Sequence, residues 1–347
     1  MRVHAPLHPL HVISAANETE SMLCDVTKMA VRSVAFSRRA DFAVSGAADG
    51  CVRVLDLPSF AVRQTFVHGH EVNCVAIAPR SGALVLSAGD DGKCKAWALG
   101  GALVSSFAPS DGGGLVYSCA IAEDETRCLV CTWSGEVTVL GFPYGGRLAL
   151  LQGHRSVVMS VACDLAFSRA MSASWDGTCR VWDLAALELE RELDGHGSQD
   201  CNAVAICERT GKLGASASND RTVAVWDLDS GALLRRLHGH SDIVVGVALR
   251  VGWAGRFTVL SAAWDGTVCL FDSEDEEGAE GAVLAVHPPK AACVAFSPSG
   301  SFFASGGFDG RLAWGDLRAQ DRERIVALAA SSTLPLDLVR IVRALLF

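Results

Sequence analysis

The sequence predicts an all-β fold built by repetition, a β-propeller, and three observations predict it. First, one pattern of residues recurs at a spacing of roughly 40, a period that marks propellers and arrays rather than a single continuous fold. Its fullest copy spans Gly153–Leu193 and contains Gly153-His154, Val161-Ala162-Cys163, Met171-Ser172-Ala173-Ser174, Trp175-Asp176-Gly177 and Val181-Trp182-Asp183. Second, the runs inside it are short and rich in β-forming residues, and the Asp-Gly between them suits the positive φ of a tight turn. Third, a fourth run, Leu187–Leu193, leads directly into the next Gly195-His196, so each copy supplies the strands of one four-stranded antiparallel unit.

Taken in order, repeat one covers about 31–66 and turns at Ala48-Asp49-Gly50; repeat two covers about 68–107 and turns at Asp90-Asp91-Gly92. Repeat three, about 114–151, is degenerate: it has no Gly-His, and Trp133-Ser134-Gly135 stands where the others carry Asp-Gly. Repeat four is the copy quoted above. Repeat five, about 194–237, turns at Asn219-Asp220-Arg221, and repeat six, about 238–286, at Trp264-Asp265-Gly266. An acidic run, Glu274–Glu277, interrupts repeat six, and such a run is expected to be a solvated loop. Repeat seven, about 288–328, has Phe308-Asp309-Gly310 and then Trp314-Gly315-Asp316, with an extra residue inside its Trp-Asp pair.

The recurrence of Gly-His near the start and Trp-Asp near the end resembles the WD40 repeat, and the resemblance covers about Val31 to Leu328. It implies a single propeller of seven blades. It also implies a buried tetrad in each well-formed blade, in which a His, a second-strand Ser, the turn Asp and a third-strand Trp are hydrogen-bonded. The matching positions are His154, Ser172, Asp176 and Trp182, then His196, Ser216, Asp220 and Trp226, and then His70, Ser87, Asp91 and Trp97, where Ala98 replaces the final Asp. His240, Ser261 and Asp265 meet Phe271, and Ser45 and Asp49 meet Leu55, so those blades are expected to rely on apolar packing. Because a buried polar group left unpaired costs roughly 1–3 kcal/mol, these histidines are expected to be structural and not catalytic.

The parts outside the repeats are expected to be an N-terminal arm (1–20), ahead of a propeller of 21–330, and a helical tail (331–347). His4, His8 and His11 lie in the arm, but Pro6 and Pro9 forbid a helix that would gather them round a metal. Either Ser21–Val26 or Arg324–Leu328 supplies the outer strand that closes the ring and removes an open edge. In the tail, apolar residues at 338, 341, 342, 345 and 346 form a helical stripe, with Pro335 and Asp337 suited to its start. That helix either packs on the propeller or binds a partner. Leu334-Pro335, Asp337-Leu338-Val339 and Ile341 resemble the opening of an F-box, and vaguely the end of a SOCS box, which implies as an alternative a substrate receptor of a ubiquitin ligase.

Composition narrows the function. The 347 residues are 50% hydrophobic, enough for a large core, and the formal net charge of −9 argues against nucleic acid or an anionic membrane as partner. No apolar stretch approaches a membrane span, and the first residues lack a secretory h-region, so an intracellular protein, cytoplasmic or nuclear, is expected. The thirteen cysteines fall mostly in expected strands, among them Cys74, Cys94, Cys163, Cys179, Cys269 and Cys293. They are expected to act as small buried hydrophobes and not as disulfides. Cys128 and Cys131 have CxxC spacing, but in a strand positions i and i+3 face opposite sides. Gly112-Gly113-Gly114 is not followed by Lys-Ser/Thr, and no nucleophile elbow, zinc-protease or kinase motif occurs. No cofactor or metal is expected, and an enzyme working at the channel mouth remains only as an alternative.

One recurrence points outward. Trp133, Trp175, Trp264 and Phe308 stand one residue before the turn Asp, or its equivalent, in four repeats, with Asp90 and Asn219 in two others. The resemblance places that position on the propeller's top face, together with residues at the start of each first strand. These are Arg32, Asn73, Tyr117, Val157, Met159, Asn202, Ile243 and Val245. The expectation is a non-catalytic scaffold, a monomeric propeller within a larger complex, that docks a peptide or protein partner on an aromatic and aliphatic arc with a polar sector at repeats one, two and five.

Overall fold

The structure is a computed structural model that describes residues 10–12, 21–110, 113–252, 255–275, 278 and 281–317. Twenty-nine strands, β1 to β29, form seven antiparallel sheets, one per blade. Blades one to six are β3–β6 (residues 31–67), β7–β10 (72–107), β11–β14 (116–151), β15–β18 (158–193), β19–β22 (201–237) and β23–β26 (244–286). Blade seven holds β27 (Ala291–Phe296), β28 (Phe302–Gly307) and β29 (Arg311–Asp316). Its outer place is taken from the other end of the chain: β2 (Ser21–Asp25) pairs with β29, with Leu23 opposite Ala313 and Asp25 opposite Arg311. Ser21–Asp25 is therefore the closing strand. A further strand, β1 (Leu10–Val12), pairs with β2, so blade seven has five strands where four were expected, and part of the 1–20 arm is a strand. The helical tail (331–347) and Arg324–Leu328 lie outside the described residues.

The first strand of each blade packs against the first strand of the next: β3 (Val31–Phe36), β7 (Val72–Ile77), β11 (Val116–Ile121), β15 (Val158–Cys163), β19 (Cys201–Ile206), β23 (Val244–Val251), β27 and back to β3. Each of the seven interfaces between blades has its own apolar cluster, from Phe42, Val72 and Trp97 between blades one and two to Val31, Leu55, Phe60 and Leu312 between seven and one. The pattern of residues follows from that layering. The second strand is covered on both faces and reads as a continuous small or apolar run, as in the fully buried Phe42–Ala47. The outermost strand is largely exposed, as in Ala61–Val67.

Two details of register bear on the site. Cys128 and Cys131 sit in different apolar clusters, on opposite faces of one strand, and all thirteen cysteines are free thiols. In blade seven, Asp316 pairs with Phe302 as Asp183 pairs with Arg169 in blade four, so no residue is inserted. Gly315, opposite Phe303, takes the place that Trp182 holds opposite Ala170. Trp314 consequently points to the other face, where its ring stacks on Phe60 at 5.1 Å between centroids.

Candidate functional site: the turn end of the blades

Five of the seven blades, the second and the fourth to seventh, are locked at one end by a polar chain. In blade four, Trp182 Nε1 lies 2.8 Å from Ser172 Oγ, which lies 2.7 Å from His154 Nε2; His154 Nδ1 lies 2.8 Å from Asp176 Oδ2. With an ionised carboxylate at its end, donation runs one way: the indole N–H to the hydroxyl, the hydroxyl to one ring nitrogen, the other ring N–H to the Asp. Trp226, Ser216, His196 and Asp220 repeat this in blade five at 2.8, 2.7 and 2.8 Å. In blade six, His240 bonds Ser261 and Asp265, with the indole replaced by Phe271, which is buried.

Blade two departs from the sequence reading. His68 bonds Ser87 (2.8 Å) and Asp91 (3.0 Å), and His70 does not take that place. The ring is also turned over, so that Nδ1 faces the Ser. Burial holds the His68 imidazole below its ordinary value despite the carboxylate of Asp91, so it works as a neutral donor–acceptor. Blade seven has a triad that the sequence reading missed: His287 bonds Ser305 (2.9 Å) and Asp309 (3.1 Å), with Gly315 where the Trp would stand. The signal was present in the 18-residue spacing from His287 to Ser305, the same as from His154 to Ser172. In blade one Asp49 turns to Thr27 and Arg53, and the Ser45 hydroxyl is buried with no partner among the described residues. Blade three has Val130 and Leu140 at the Ser and Trp positions, both fully buried.

Above these locks two residues per blade are placed by backbone geometry alone. Every first strand carries a β-bulge of one residue: Arg32, Asn73, Tyr117, Met159, Asn202, Val245 or Ala292 has no partner across the ladder. A bulge re-aims its side chain out of the pleat. The residue before the turn Asp is pinned by its own N–H. Ala48, Asp90, Trp133, Trp175, Asn219, Trp264 and Phe308 each donate to the carbonyl two residues ahead of a bulge, at 2.9–3.0 Å (Trp133 to Leu115, Trp175 to Val157). Side-chain identity at these fourteen positions is thus free of any duty to the ladder.

The occupants divide into sectors. Tyr117, Trp133 and Trp175 are contiguous: the Tyr117 and Trp133 centroids are 6.1 Å apart, and Trp175 meets Trp133 edge-on at 5.9 Å. Trp133 is 49% exposed and Phe308 40%, whereas Trp175, Trp264, Tyr117 and Met159 are partly covered. Trp175 Nε1–H donates to Asn202, and Asn202 donates onward to Asn219 and to the Val244 carbonyl of the next blade. Asn73 likewise donates to Asp90 and to the Val116 carbonyl, and Arg32 pairs with Glu71 at 2.6 Å. The polar occupants therefore stitch neighbouring blades together as well as facing out. Val157, by contrast, is buried. Lys290, which the sequence reading did not single out, lies over Trp264 with Nζ 3.5 Å from the ring centroid.

Comparison with known proteins agrees with the blade order. The family model described as WD domain, G-beta repeat matches residues 24–56, 61–98, 145–183, 187–227, 231–272 and 280–313. The gap between the second and third matches is where blade three lies, the blade with neither Ser nor Trp at the lock. Among curated proteins, the chain is 29% identical over 126 residues to WD repeat-containing protein 90 of Xenopus tropicalis, covering 36% of this chain and 7% of that protein. It is 30% identical over 141 residues to the ribosome biogenesis protein WDR12 homolog of Chlamydomonas reinhardtii (40% and 24%), and 45% identical over 56 residues to methylosome protein WDR77 of Xenopus laevis (16% and 17%). The matched stretches span less than a quarter of the length of each of these relatives.

Proposed function

This chain belongs to the WD40-repeat family, whose propellers are typically protein-interaction scaffolds, and from that premise we propose that it is a non-catalytic scaffold that docks a peptide or protein on the turn end of its blades. The observation that carries this reading is Trp133, half exposed on a backbone-pinned position and backed by Tyr117 and Trp175. Contiguous exposed apolar surface marks interaction sites, and Trp and Tyr dominate the energy of protein interfaces. The turn aspartates are spent on the histidines facing them, or in blade one on Thr27 and Arg53, which supports a reading without catalysis. Thirteen free thiols suit a reducing compartment, so we place the work inside the cell.

The test is affinity purification with the full chain beside Trp133→Ala and Phe308→Ala variants. Trp133→Ala is expected to lose the partner while its thermal midpoint falls by only a few degrees, because removing a half-exposed ring and its two aromatic contacts costs about 1–2 kcal/mol, a small shift for a chain of this size. Trp175→Ala is a poorer probe, since it strips Asn202 of its indole donor. Undiminished capture by the Trp133 variant would remove the docking surface from this end of the ring.

A further inference from the structure

Blade six already shows what an indole at this rim attracts. The Lys290 ammonium sits 3.5 Å from the Trp264 centroid. Lys290 is the residue two ahead of the bulge in blade seven, so the cation over one blade's Trp comes from the next blade's entry loop. The ring quadrupole draws a cation to the indole face. Blade three presents the equivalent indole, Trp133, but the residue in blade four that corresponds to Lys290 is Val157, apolar and buried. Among the described residues the ring-bound cations sit over Phe42, Phe167, Phe296 and Trp264, and Trp133 has none.

The surroundings of Trp133 also favour a positive guest. Tyr117 and Trp175 add two more rings beside it. Burial, then the Asp90 carboxylate, push the Tyr117 phenol up from its ordinary value, so Asp90 acts on this sector. Arg32 opposes that effect but is held by Glu71 at 2.6 Å. The whole chain carries −9, which draws a basic partner and repels an acidic one. We propose that the Tyr117–Trp133–Trp175 surface receives a cationic side chain, a Lys ammonium or Arg guanidinium, from an extended basic segment of the docked protein. The inference rests on the docking reading above and adds the chemistry of the partner.

The experiment titrates the full chain with short Gly/Ser peptides carrying spaced Lys, Arg, Glu or norleucine, followed by indole emission and indole N–H chemical shifts. Lys and Arg peptides should bind, and Glu and norleucine peptides should not. Trp133→Ala should weaken the basic peptides roughly two- to thirty-fold, the range a cation–π contact supplies, while Trp133→Phe keeps most of the affinity. Asp90→Asn, which keeps an acceptor for Asn73, should weaken binding and flatten its salt dependence. Tyr144→Ala, an exposed ring on the connection between the last two strands of blade three and away from the turn end, should change nothing. Norleucine binding as tightly as Lys, or a Trp133→Ala variant that binds the basic peptides unchanged, would overturn the proposal. If a natural partner requires Trp133 while basic peptides bind no better than norleucine, docking at this face stands and the cation site fails. If basic peptides bind at Trp133 and no partner is captured through that face, the docking reading fails on its own test.

Discussion

A single hydroxyl shows how far one residue's worth depends on its neighbours. Ser172 receives an indole N–H from Trp182 and faces a ring nitrogen of His154, all three buried at their contacts. Ser45 holds the same place in blade one, equally buried, with Leu55 in place of the Trp and no partner for its oxygen among the described residues. Ser172→Ala is therefore expected to lower unfolding stability by about 1–3 kcal/mol, because it strands an indole N–H and a ring nitrogen. Ser45→Ala is expected to be neutral or mildly stabilising, since it removes a desolvated group that gained nothing. Denaturant unfolding of the two variants side by side checks this, and equal losses would show that the lock in blade four is worth no more than a void. The same dependence explains which histidines were legible. His68-Gly69-His70 offers two candidates, and the Gly-His pair points to the wrong one, because only the direction of the backbone decides which ring reaches Ser87. His287 follows Val286 and not Gly, so the dipeptide signal was silent although the spacing to Ser305 was sound.

Strands were more legible than locks, because period-2 alternation and Asp-Gly turns are local, while a lock needs four residues from three places to coincide. The Trp314-Gly315-Asp316 stretch is instructive: on paper it reads as an insertion, yet the pairing of Phe302 with Asp316 shows an intact register in which the Trp has moved to the other face. Its ring then fills the seam against Phe60. That seam depends on β2, whose identity as the closing strand was one of two options in the sequence and was decided by its pairing with β29. Deleting residues 1–26 leaves β29 as an unpaired edge and breaks the Arg311–Asp25 ion pair. The truncated chain is expected to melt several degrees lower and to scatter more light than the full chain at the same concentration. Light scattering and a thermal scan report both, and unchanged scattering with an unchanged melt would mean that the ring needs no such clasp.

At the scale of the whole ring the turn carboxylates act together. Burial alone would raise Asp49, Asp91, Asp176, Asp220 and Asp265. Hydrogen bonds outweigh it in every case, from His154 to Asp176, from Arg53 to Asp49 and from Lys95 and His68 to Asp91, and all five are held below the ordinary carboxylate range. Asp220, held by His196 and Thr222, lies at about 2. A carboxylate depressed in the folded chain stabilises it fully above its unfolded value of about 3.9 and loses that contribution as the pH falls through the folded value. The melting temperature is thus expected to fall modestly below about pH 6.5, where the unfolded chain protonates His68 and the folded chain does not, and to drop steeply between about pH 4 and 2, less steeply in Asp220→Asn. A flat profile across that interval would mean that these bonds persist in the unfolded chain.

The seven-blade plan and the positions on the turn end were visible in the repeat. The bonds that fill those positions were not, because Asn202 to Val244 and Lys290 to Trp264 join residues of different repeats. One more consequence concerns how the ring is attached to anything else. The first described strand, β1, and the last described residue, Leu317, are both in blade seven, on the far side of the circle from blades three and four. The segments that continue beyond the described residues on either side therefore both set out from one berth, in blade seven.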